Sequence, residues 1–94
     1  MAKQKSGRVD IECDLHGLTR DEAWIELQQV VALLRRRKKG RARIIHGCGE
    51  VLSEMVYEFA QQAPDIEIEQ ERNNAGASII ELIPGRARDF GPLV

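Results

Sequence analysis

Residues 9–16 read Val-Asp-Ile-Glu-Cys-Asp-Leu-His, and Gly17 follows. Val9, Ile11, Cys13 and Leu15 alternate with Asp10, Glu12, Asp14 and His16, the period-two pattern of a strand with one buried face and one wet or functional face. A sheet covered by helices on both faces carries near-continuous apolar strands instead. This stretch therefore decides for a sheet packed on one side only. Gly17 ends the strand.

Working outward, Thr19-Arg-Asp-Glu22 is a capping box, with Thr19 as N-cap and Glu22 reaching back. Asp21 and Glu22 also sit at the positive end of the helix dipole. Ala23, Trp24, Leu27, Val30, Val31 and Leu34 follow at helical spacing and form a core-facing stripe. Residues 35–39 put positive charge at the end of this helix, and Gly40 is expected to stop it. A second strand over 42–46 leads into Gly47-Cys48-Gly49 and a second helix near 50–63, with Leu52, Val56, Phe59 and Ala63 on one face and Pro64 after it. Residues 66–69 alternate again, 72–76 have turn chemistry, and 78–83 form a fourth strand.

The order is βαβαββ, and a crossover of this length makes the first two strands parallel and right-handed. The fold class expected is α/β, a two-layer sandwich with a mixed four-stranded sheet and two helices on one face. Residues 1–8 read as a flexible N-terminal segment, 9–83 as the domain and 84–94 as a C-terminal tail. Met1 and the short terminal segments read as those of a complete small protein.

Ninety-four residues, 43% hydrophobic and 31% charged, suit one globular core, since two would each be too small to fold unaided. Fourteen Lys and Arg against fifteen Asp and Glu give a net charge of −1, which excludes a generic polycationic coat for nucleic acid. There is no apolar run of roughly 18 residues to span a membrane, and residues 1–8 lack the apolar stretch of a signal peptide. A cytoplasmic protein is expected. Cys13 and Cys48, with no CxxC spacing, read as reduced thiols rather than a bridge.

In parallel β/α units, ligands bind beyond the carboxyl ends of the strands. Asp14-Leu15-His16-Gly17 finishes the first strand and His46-Gly47-Cys48-Gly49 the second, so both histidines of the chain reach the same edge of the sheet. On neighbouring strands, roughly 4.8 Å apart, the two imidazoles are expected to converge on one ligand. Imidazole titrates near neutral pH and suits proton transfer at ribose or phosphate oxygens. Asp14, two residues from His16 on the same face, would orient it or stabilise its charge. The catalytic candidates are therefore Asp14, His16 and His46. Gly47 and Gly49 allow close backbone approach, and the helix that follows presents free N–H groups and a positive dipole end, a setting for phosphate.

Three stretches, DLHGLTRDEAW at 14–24, RIIHGCG at 43–49 and AGASIIEL at 75–82, together resemble the Smr (small MutS-related) domain family. The resemblance runs from about Cys13 to Leu82, with the family's LDxH on Cys13-Asp14-Leu15-His16 and its HGxG on His46-Gly47-Cys48-Gly49. Cys13 stands for a leucine, Glu50-Val51-Leu52 follows where many members carry a third glycine, and Asn73-Asn74 stand for a glycine pair, with Gly76 kept. Asn adopts left-handed dihedrals more readily than most residues, which preserves the turn.

The resemblance implies a fold similar to the C-terminal domain of translation initiation factor 3. It implies as partners RNA or DNA, or the ribosome, and no membrane, with an endonuclease that nicks or cleaves nucleic acid as the function. The alternative is a non-catalytic module binding RNA, a ribosome or branched DNA. Nucleic-acid or phosphate contacts are expected from Gly17, Gly47, Cys48, Gly49, Arg20 and Arg43, and from the basic run Arg35, Arg36, Arg37, Lys38 and Lys39. That run precedes the second strand whereas His46 ends it, so its expected role is to hold backbone away from the reacting phosphodiester. No metal ligands are assigned and no cofactor is expected. A divalent ion enters only if DNA, which lacks the 2′-hydroxyl, is cleaved.

Overall fold

The computed structural model describes residues 9–85. Its elements are β1 (Ile11–Asp14), α1 (Arg20–Arg37), β2 (Arg41–Ile45), α2 (Glu50–Gln62), β3 (Ile66–Gln70) and β4 (Ala77–Leu82). The sheet order is β1-β2-β4-β3, parallel between β1 and β2 and antiparallel at the other two pairings. This is the expected mixed sheet. The segments read as terminal, 1–8 and most of 84–94, lie outside the described residues.

Register places each apolar row on one side. Ile11, Ala42, Ile80 and Ile68 lie in line across the sheet, as do Cys13, Ile44, Ser78 and Gln70. Cys13, Leu15, Ala42, Ile44, Ile66, Ile80 and Leu82 join Ala23, Leu27, Val31 and Leu34 of α1 and Leu52, Met55, Val56 and Ala60 of α2 in one core. Burial pushes the Cys13 thiol up from its ordinary value, as expected of a packing residue. Trp24 and Phe59 meet edge to face at 4.9 Å where α1 packs on α2. No helix of the described residues is long and apolar enough to cross a membrane.

The opposite face is not bare. Ile79 of β4 points to it and is only 2% exposed. It sits in register between Arg43 and Glu69, on a strand flanked on both sides, and long charged side chains cover it with their stems.

Every strand differs from the sequence reading by one or two residues at an end, and three of the boundary differences have identifiable reasons. β1 ends at Asp14, because the Asp14 carboxylate accepts the His16 backbone N–H at 3.1 Å and turns the chain. At the end of α1 it is Lys38, not Gly40, that caps in the left-handed region (φ 66°, ψ 17°), donating its N–H to the Arg35 carbonyl. Gly40 (φ 131°) is needed for a further reason: a Cβ there would lie 2.8 Å from Leu34 Cδ2. Ala63 caps α2 rather than belonging to it.

Candidate functional site

The β1–α1 turn and the β2–α2 turn lie side by side at one end of the sheet. Continuing the parallel register past Asp14 and Ile45 sets Leu15 beside His46 and His16 beside Gly47, and a Cβ on Gly47 would be 3.7 Å from that of His16. Adjacent strand residues point to opposite faces. The expected convergence of the two imidazoles is therefore corrected: His16 and Asp14 face the open side of the sheet, and His46 faces the helices. A shift of one residue in register separates them.

On the open side, Asp14 Oδ1 accepts from His16 Nδ1 at 2.5 Å, with both side chains more than half exposed. A carboxylate only accepts, so this bond puts the proton on Nδ1 and leaves Nε2, in the neutral ring, as the acceptor. Hydrogen bonds from the His16 ring and backbone hold the Asp14 carboxyl below the usual carboxylate range.

His46 is 4% exposed and fully engaged. Its Nδ1 donates to the Gly47 carbonyl at 2.7 Å, and Nε2, in the neutral ring, accepts from the Ser78 hydroxyl at 2.9 Å. These two bonds tie its own loop to β4. Among the described residues no group of three His, Cys, Asp or Glu side chains is gathered as for a metal ion.

The glycine loop rests on the β3–β4 turn. The Gly76 carbonyl accepts from both His46 N and Gly47 N, at 3.0 and 2.9 Å, so the Gly47 N–H is taken. Asn73 carries the turn in the left-handed region (φ 58°), as its residue type foretold. Asn74 Oδ1 accepts the Gly76 N–H at 2.9 Å, and a Cβ on Gly76 would touch Cys48 Sγ and the Gly47 carbonyl carbon at 3.5 Å. What the loop still offers is Cys48, exposed, and Gly49, the α2 N-cap, which makes no side-chain cap bond. The first N–H groups of α2 are thus left for water or an anion. Gly17 (φ 88°) and Gly49 both look onto open space, so the site is an open edge.

Three of the expected phosphate-binding cations are otherwise committed. Arg20 Nη2 donates to Glu58 Oε1 at 2.6 Å, joining α1 to α2, and its guanidinium carbon lies 6.0 Å from the centre of the Trp24 ring. Arg35 forms a two-pronged pair with Asp65, at 2.7 and 2.8 Å, and ties the end of α1 to the turn before β3. Arg43 does face the open side, but its Nε donates to Glu71 and its Nη1 to Glu12, which raise its pKa. Glu71 also accepts from Asn74 Nδ2 at 2.9 Å, so Arg43 braces the turn that holds the glycine loop.

Arg36, Arg37, Lys38 and Lys39 are exposed at the other end of the molecule. The eighteen residues of α1 separate the two ends by about 27 Å at about 1.5 Å per residue.

Sequence reasoning missed Ser78, Gly76 and Asn74. Ser78 had a signal: a hydroxyl in the helix-facing row of β4, between apolar neighbours, must find a buried partner.

Comparison with known proteins agrees with this fold. A crystal structure of the Smr domain of Thermus thermophilus MutS2 superposes with a TM-score of 0.73 at 25% identity, covering 80% of this chain and all of that one. The ribosome rescue factor SmrB of Buchnera aphidicola subsp. Schizaphis graminum is 36% identical over 69 residues, which is 70% of this chain and 39% of that protein's length. The family model for the Smr domain matches residues 13–83, nearly all of the described fold, and the chain belongs to that family.

Proposed function

We propose that this domain binds structured nucleic acid at the carboxyl ends of β1 and β2 and cleaves a phosphodiester there, with His16 as the proton acceptor. The observation that carries this reading is the exposed Asp14–His16 pair, whose bonding leaves Nε2 unengaged beside the glycine loop and the uncapped start of α2. On RNA, Nε2 takes the 2′-hydroxyl proton, the oxygen attacks phosphorus, and the bond to the 5′-oxygen breaks, that oxygen taking a proton from water. The N–H groups at Cys48, Gly49 and the first turn of α2 hold a non-bridging phosphate oxygen. On DNA the nucleophile is water, and a divalent ion would be needed to activate it. The ribosome, rich in structured RNA, is the partner that the SmrB likeness supports. Cytoplasmic work fits that partner and the two free cysteines.

One observation favours a second reading, a binding module without turnover. Only one imidazole is exposed, so no second histidine can protonate the leaving oxygen.

The test incubates labelled single-stranded RNA, duplex DNA and branched DNA with wild type, His16→Ala and Asp14→Asn, with and without EDTA. The expected result is RNA cleavage that falls roughly 10²–10⁴-fold in His16→Ala and less in Asp14→Asn, with binding retained. Equal cleavage in His16→Ala would sink the chemistry. Binding with no cleavage of any substrate would establish the second reading.

A further inference from the structure

We infer that the end of the domain opposite His16 is a second nucleic-acid contact, where Arg36, Arg37, Lys38 and Lys39 grip sugar-phosphate backbone. This rests on the reading that the ligand is a nucleic acid and specifies its class: a duplex or folded strand long enough to present phosphates at both ends of the domain.

Seven cations occupy positions 35–43, and the structure sorts them. Arg35 is paired with Asp65, Arg43 with Glu71 and Glu12, and Arg41 lies 3.7 and 3.9 Å from Glu69 and Glu81. The other four are exposed, with no ion pair among the described residues. Dipole complementarity does not explain all of them, since it fades within the last helical turn and Lys38 and Lys39 lie beyond it.

Backbone conformation supplies an independent sign. Lys38 holds a left-handed cap that glycine fills at no steric cost, and it is one of only two non-glycine residues with positive φ among the described residues. A lysine there keeps a charge at the point where the chain turns out of the helix.

The body of the open sheet face, away from the Asp14–His16 edge, carries Glu12, Glu67, Glu69, Glu71 and Glu81 against Arg41 and Arg43, and disfavours phosphate. A ligand touching both ends must span about 27 Å, or about eight steps at about 3.4 Å per nucleotide along a strand.

The test measures binding of an RNA duplex of about 24 base pairs and of an RNA of about four nucleotides, between about 50 and 200 mM salt. It compares wild type, Arg36→Gln/Arg37→Gln/Lys38→Gln/Lys39→Gln and Lys38→Gly, with folding followed by circular dichroism. The quadruple variant is expected to bind the duplex at least about tenfold more weakly, with the salt slope flattened by about 0.9 for each phosphate no longer neutralised. Binding of the short RNA should be unchanged. Lys38→Gly should weaken duplex binding severalfold without lowering the melting temperature. Wild-type affinity and slope in the quadruple variant, equal weakening on both RNAs, or no duplex binding by wild type would overturn the inference. If His16→Ala changes no cleavage while the quadruple variant still binds the duplex more weakly, the proposed chemistry fails and this second surface stands. The reverse pattern removes this surface alone.

Discussion

His16 and His46 are the only histidines in the chain, both lie just past the end of a strand, and one offset in register gives them opposite surroundings. His16 is exposed and oriented by Asp14. His46 is enclosed and spends both ring nitrogens on Gly47 and Ser78. Removing the Ser78 hydroxyl leaves a buried ring nitrogen without its donor, which costs about 1–3 kcal/mol. Ser78→Ala is therefore expected to lower stability in urea by that amount, and to weaken any activity through the loop while leaving Asp14 and His16 intact. A Ser78→Ala protein as stable as wild type would show that the clamp contributes nothing. The motif residues were legible in the sequence. Which face each histidine took was not, because that depends on where His16 leaves the ladder and on the neighbouring strand's register.

At the scale of elements, the site hangs on two helix starts treated differently. The α1 start is closed by its own side chains: Thr19 Oγ1 accepts the Glu22 N–H at 3.2 Å, and Glu22 Oε1 accepts the Thr19 N–H at 3.0 Å. The α2 start, at Gly49, has no such closure. Thr19→Ala is expected to destabilise the fold by about 0.5–2 kcal/mol, as for other N-cap losses, and thermal melting checks it. The capping box was readable because its partners are three residues apart. The bracing of the HGCG loop by Gly76 and Asn74 was not, because it joins segments about thirty residues apart through backbone carbonyls, which leave no mark on composition.

For the whole molecule, the informative quantity is the layout of charge. Three carboxyls are held below their ordinary range: Asp65 by the Arg35 guanidinium, Glu71 by that of Arg43 and Asp14 by His16. A carboxyl whose folded pKa is depressed contributes stability that is complete above its unfolded value, about 4, and is lost as pH falls through the folded value. The melting temperature is therefore expected to hold steady above about pH 5 and to fall from about pH 4 downward. Asp65 is the buried member, at 5% exposed, so Asp65→Asn should lower the plateau and narrow its gap to wild type as the pH drops. A gap that stays constant down to about pH 2 would show that the Arg35 pair has no part in acid stability.

The sequence by itself determined the element order, the parallel crossover, the capped start of α1 and the glycine loop after β2. Each of these is written in local periodicity or in residues a few positions apart. It also placed the cations in one run. Tertiary structure alone decided which of them were spent on internal carboxylates, which face each histidine took, and that the run and the Asp14–His16 pair stand at opposite ends of α1. Those outcomes follow from strand register and from partners such as Asp65, Glu71 and Glu58, some 28 to 38 residues distant, that meet only when the sheet closes.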